Sequence, residues 1–96
     1  PADGDDDAVR DGTDTWLVNG AANIRELNRA QNWDFPTDGP KTINGLIVEQ
    51  LENIPKASTR LVIDSYQIEI IESDNTRIHS VRIRPKVAES AAIEDD

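Results

Sequence analysis

The side chains with the most chemistry to offer are carboxylates. Asp3, Asp5, Asp6 and Asp7 stand almost side by side, and Asp11 and Asp14 follow. Hard cations such as Mg²⁺ and Ca²⁺ take oxygen ligands, so Asp5 and Asp7 invite a metal reading. The run lacks a glycine and a terminal glutamate at the spacing of a calcium loop. A like-charged polar run is more simply a solvated acidic linker. A second pair, Asp34 and Asp38, lies in a proline-flanked loop and could share a cation. Aspartate is equally at home there as turn chemistry. Any Mg²⁺ or Ca²⁺ held by these four residues would be bound weakly.

The other candidates are fewer. His79 is the sole histidine and there is no cysteine. A zinc site, a disulfide and thiolate catalysis are therefore excluded or left without partners. No nucleophile stands beside His79 for it to activate. Arg77, Arg82, Arg84 and Lys86 form a basic strip that could take an anion or an acidic partner. Their simpler use is pairing with Glu69 and Glu72 across a hairpin. Gly12, Gly20, Gly39 and Gly45 match no phosphate-loop pattern, so a bound FAD would need its cradle supplied elsewhere. Trp16, Trp33 and Phe35 could stack on a flavin, but at these spacings aromatics more often belong to a core. No catalytic constellation emerges.

Composition narrows the classes further. The chain has 96 residues, a net charge of −9 and an apolar fraction of 36%. That length suits one domain. The acid crowds the ends: Glu89, Glu94, Asp95 and Asp96 balance the N-terminal run. An acidic chain is a poor partner for nucleic acid or for an anionic membrane surface. No apolar run approaches the ~20 residues of a membrane span. The absence of any Met suggests a piece cut from a longer protein.

The elements that must position these residues can be read from pattern. Residues 1–13 read as an acidic linker and 87–96 as an acidic tail, leaving a domain over 14–86. Thr15 to Val18 reads as a strand ended by the Asn19-Gly20 turn. Asn23 and Glu26 form a capping-box pattern that opens a short helix. Its inward stripe is Ile24, Leu27 and Ala30 or Gln31; Arg25, Asn28 and Arg29 face out. Trp33 and Phe35 pin the following loop to the core. Thr42 opens a second helix, in which Ile43, Leu46, Ile47, Leu51 and Ile54 recur at helical spacing. Pro55 closes it. Gly45, costly inside a helix, implies a close approach to a neighbouring backbone.

The second half changes period. Arg60 to Ile63 is a strand, Asp64-Ser65 a tight turn, and Tyr66, Ile68 and Ile70 alternate along a half-buried strand. Ser73 to Thr76 is turn chemistry, and Thr76 to Arg84 is a last strand. Ile78 falls out of parity with Val81 and Ile83, which predicts a bulge near His79 or Ser80. The order β-α-α-β-β-β gives an α+β fold: a small antiparallel sheet packed by two helices. Trp16, Leu27, Ile43, Gly45, Leu46, Leu51, Ile68 and Ile70 are the packing residues of that arrangement.

The ordered part, Thr15 to Pro85, resembles the CorC/HlyC transporter-associated domain. The likeness is carried by TWLVNG, NIRELN, the Trp33-x-Phe35-Pro36 loop, TINGLIVEQLENIP and YQIEIIESDNTRIHSVRIRP, in that order. Ala57-Ser58-Thr59 departs from the family pattern by lacking a glycine before Arg60. The resemblance implies a domain at the C-terminus of a magnesium/cobalt efflux or hemolysin-like membrane protein. There it follows a CBS-domain pair and often a transmembrane module, on the cytoplasmic side of the bacterial inner membrane. It implies a non-enzymatic regulatory or interaction role, through the CBS pair or a homodimer. The fold is also related to a subdomain of certain FAD-binding enzymes. Hence the alternative reading: a small-ligand site for FAD, an adenine nucleotide or a divalent cation.

Overall fold

Period-two alternation in four segments and helical spacing in two others have to be reconciled in one core. The computed structural model, which describes residues 7–85, does so with five strands and two helices. The strands are β1 (Ala8–Arg10), β2 (Trp16–Asn19), β3 (Arg60–Ile63), β4 (Tyr66–Ser73) and β5 (Ile78–Arg84). The helices are α1 (Ile24–Gln31) and α2 (Ile43–Leu51). All neighbouring strands run antiparallel, in the order β1-β2-β5-β4-β3. The fold is α+β, as expected. One strand is additional: Ala8–Arg10, inside the stretch read as linker, pairs with β2 through Ala8↔Val18 and Arg10↔Trp16.

Parity decides which face of the sheet is buried. Val18, Ile63, Ile68, Ile70, Val81 and Ile83 point to one side and join Ile24 and Leu27 of α1 and Ile43, Leu46 and Ile47 of α2 in a single core. The helices therefore cover one face only. Between Ile70 and Ser73 the β4–β5 register shifts twice, leaving Ile71 and His79 without direct partners. The shift lets Ile78 and Val81 both reach the core despite their odd spacing.

The two helix starts brace each other. Asn23 Oδ1 accepts from the Glu26 amide and Thr42 Oγ1 from the Gly45 amide. Asn23 and Thr42 also face each other in an antiparallel bridge, in which Ile24 N–H donates to Lys41 O and Ile43 N–H to Ala22 O. Amides that a helix start leaves unpaired are thus satisfied by the other helix's flank. α2 stops earlier than Pro55 would require: Glu52 takes a left-handed conformation at φ 63° and closes the helix.

One expectation about close packing changes. A Cβ on Gly45 would meet the ring of Pro40 at 3.0 Å, so its close neighbour is a side chain and not a backbone. The backbone approach belongs to Gly20, where a Cβ would fall on the Ile78 carbonyl group, 2.9 Å from its carbon. Gly20 N–H donates to His79 O at 2.8 Å and Gly20 O accepts from the Asn44 amide at 2.7 Å. Asn44 Oδ1 in turn accepts from the Ile78 amide at 2.7 Å. This small knot ties the end of β2, the start of α2 and the bulged start of β5 together.

Candidate functional site

The four aromatic rings of the chain gather at one end of the core. Phe35 stacks on Tyr66 with centroids 4.2 Å apart, while Trp33 meets Trp16, Phe35 and Tyr66 at 6.1, 5.9 and 5.9 Å. Arg10 lies over the outer edge of the cluster, 5.4 Å from the Trp16 ring. The rings pack against one another at the edge of the core, the use that their spacing suggests. The loop holding Trp33 and Phe35 is fixed by a residue assigned to the outer face of α1. Asn28 is half-buried, and its amide group both donates to Phe35 O and accepts from Phe35 N–H, each at 3.0 Å. Asp34 N–H donates to Tyr66 Oη at 2.7 Å. Burial pushes the Tyr66 pKa above its ordinary value.

Asp5 lies outside the described residues, Asp7 precedes β1, and Asp34 and Asp38 are exposed in the loop between the helices. Among the described residues, no three His, Cys, Asp or Glu side chains gather closely enough to hold an ion. Asp74 is the carboxylate most perturbed by its setting. It accepts from His79 Nε2 at 2.7 Å, from the Thr76 hydroxyl at 2.6 Å, and from the Thr76 and Arg77 amides. His79 first, then Thr76 and Arg77, hold its pKa well below the usual carboxylate range. This is hairpin-turn chemistry, with His79 clasping the turn from the bulge.

The basic strip divides. Arg82 donates to Asp11 at 2.8 Å and to Glu69 at 3.1 Å, and these carboxylates raise its pKa further. Glu69 was expected as a partner; Asp11, 71 positions away in sequence, was not. Arg84 lies on the same face without an ion pair among the described residues, and so does Arg60, which sequence reading did not single out. Lys86 lies outside the described residues. Around these arginines runs a shallow groove of about 450 Å³, lined also by Thr15, Val62 and Gln67. No helix of the described residues is long and apolar enough to cross a membrane.

Among the described residues the fold is a two-layer α+β domain with one covered and one open sheet face, whose polar side chains mostly serve turns and caps. Its family follows from comparison: residues 9–87 match the Transporter associated domain family (CorC_HlyC), and the chain belongs to it. The chain is 44% identical over 69 residues to the inner membrane protein YfjD of Escherichia coli, covering 72% of this chain and 16% of that protein. It is 34% identical over 79 residues to a UPF0053 protein of Haemophilus influenzae, covering 82% and 19%. It is 30% identical over 70 residues to the magnesium and cobalt efflux protein CorC of Salmonella typhimurium, covering 73% and 24%. The chain thus spans less than a quarter of the length of these curated relatives.

Solved structures agree on the architecture. A conserved protein of unknown function from Haemophilus influenzae superposes with a TM-score of 0.77 at 35% identity, over 81% of this chain and 96% of that one. A CorC_HlyC domain from Haemophilus ducreyi gives 0.65 at 33%, over 83% and 98%. The same domain of a Xylella fastidiosa hemolysin, solved with Mg²⁺ and Mn²⁺, gives 0.71 at 20%, over 82% and 96%, a likeness of fold.

Proposed function

We propose that this domain is a non-enzymatic regulatory or interaction module of a larger ion-efflux or hemolysin-like protein. In this reading it sits on the cytoplasmic side of the membrane and packs against a CBS-domain pair of its own polypeptide, biasing that protein between conformational states. Membership of the transporter-associated family carries the reading, and the magnesium and cobalt efflux protein among the relatives gives it a cargo class. The chemistry is consistent with it. Asp74, His79, Asn28, Asn44 and Arg82 are each engaged in turns, loops or strand pairing. A module that works by packing needs no more.

The test supplies the domain in trans. The parent polypeptide lacking residues 7–85 is titrated with the isolated chain by calorimetry. Heat of binding is expected. No heat, together with an unchanged oligomeric state on deletion, would count against the module. A second reading, weak binding of a divalent cation, is favoured by the Mg²⁺ and Mn²⁺ bound to the Xylella domain and by the exposed acids Asp34 and Asp38. Titration of the isolated chain with MgCl₂ and MnCl₂ separates the two readings.

A further inference from the structure

The face of the sheet turned away from the helices has an order of its own. Strand register places Val9, Leu17, Arg82, Glu69 and Arg60 in one row across all five strands. A shorter row beside it holds Arg84, Gln67 and Val62. The large apolar side chains exposed among the described residues are Val9 at 55%, Leu17 at 38% and Val62 at 64%, and all three stand on this face. Val62 lines a groove that carries three arginines and Glu69, and Leu17 and Val9 extend the Arg82 row beyond it, on a chain whose net charge is −9. Single exposed apolar residues are unremarkable. Apolar residues at both edges of an arginine-rich centre, on the side of the sheet that no other described residue covers, have the composition of a docking surface.

We infer that this open face docks a carboxylate-bearing surface of the remaining part of the polypeptide that carries the domain. The inference rests on the interaction-module reading and names its surface. Charge complementarity selects the partner. Arg82 already holds two carboxylates, Asp11 from a distant loop and Glu69 from the adjacent strand. Arg60 and Arg84 flank it with the same fork of donors and no carboxylate among the described residues. An acidic segment laid over Arg60 and Arg84 would complete the pattern, with apolar side chains seated against Val62 and Leu17. A second copy of the chain centred on this groove fits poorly, because a two-fold axis passing through the arginines would bring them against their own copies. The relatives supply the room for such a segment: they devote most of their chain to other parts, 84% in the 44%-identical protein.

The experiment reads the thiol-labelling rate of Val62→Cys by peptide mass spectrometry, in the whole polypeptide and in the isolated chain. Glu49→Cys, exposed on α2, is the control. In the whole polypeptide, Val62→Cys is expected to react about tenfold or more slowly than in the isolated chain, the mark of a face occupied about nine-tenths of the time. Arg60→Glu with Arg84→Glu should restore the rate, with folding checked by circular dichroism. Equal rates in both contexts would overturn the inference. So would protection already present in the isolated chain, which would assign the face to its own ends. Protection that vanishes on dilution would assign it to a second copy and also overturn it. If in-trans binding persists while Val62→Cys stays unprotected, the module stands and this face is the wrong one.

Discussion

Gly20→Ala should be among the most damaging small changes in the chain, and Gly45→Ala among the mildest. The added Cβ at Gly20 meets the Ile78 carbonyl, with the His79 carbonyl carbon only 3.3 Å away. These are main-chain atoms of β5 and have no rotamer by which to retreat. Relief requires β2 and β5 to part locally, at the expense of the bonds from Gly20 N–H to His79 O and from Asn44 N–H to Gly20 O. Each is worth about 1 kcal/mol net, and overpacking adds about 1–3 kcal/mol. Alanine returns up to about 1 kcal/mol by restricting the unfolded chain. The expected net loss is about 2–4 kcal/mol, or roughly 10–25 °C in Tm for a domain of this size. At Gly45 the contacts are Pro40 Cβ at 3.0 Å and the Thr42 hydroxyl at 3.3 Å, longer than those at Gly20 and relieved by a few tenths of an ångström of movement in the loop before the helix. The gain of about 1 kcal/mol in helix propensity offsets that strain, so the variant should stay within about 1 kcal/mol of the parent. Urea unfolding followed by tryptophan fluorescence reads both, since Trp16 and Trp33 lie in the core-edge cluster. A Gly20→Ala variant as stable as the parent, or less harmed than Gly45→Ala, would refute the reasoning.

Other outcomes follow from the same contacts. Phe35→Ala removes a ring 1% exposed that stacks on Tyr66, and should cost about 3–5 kcal/mol in the same unfolding assay. Ser58 holds a left-handed conformation at φ 76°, where an L side chain is disfavoured, so Ser58→Gly should raise stability by about 0.5–1 kcal/mol on thermal melting. Asp74 has a folded pKa depressed by His79, Thr76 and Arg77, so its contribution is fully present above the unfolded carboxylate value of 3.8 and is lost as pH falls through the folded value. Asp74→Asn should therefore lower stability at neutral pH and flatten the loss of stability below about pH 4. An unchanged acid limb in its pH–stability profile would speak against the Asp74–His79 clasp.

The parts legible in sequence are those that a local pattern decides. The helix starts at Asn23 and Thr42, the Asp64-Ser65 turn and the core faces of β4 and β5 each follow from spacing or cap chemistry. The bulge was legible too, because Ile78, Val81 and Ile83 cannot share a face without it. What stayed hidden depends on partners distant in sequence. β1 has three residues amid acids, and only pairing with β2 makes it a strand. Asn28 looked like a solvent-facing helix residue because its partner, the Phe35 backbone, is presented by a loop. Gly45 drew attention by breaking a helix rule, while Gly20 passed as turn punctuation although β5 crosses it. The open face was illegible for the same reason: Val9, Leu17 and Val62 join one surface only through the register of five strands.

The central claim is that the domain acts on a larger ion-efflux protein without chemistry of its own. Its most direct test is the rate of Mg²⁺ or Co²⁺ efflux from vesicles holding the parent protein with and without residues 7–85, across a range of ion concentrations. The expected result is a shifted ion dependence, with transport itself retained. Superimposable curves for the two proteins would contradict the claim.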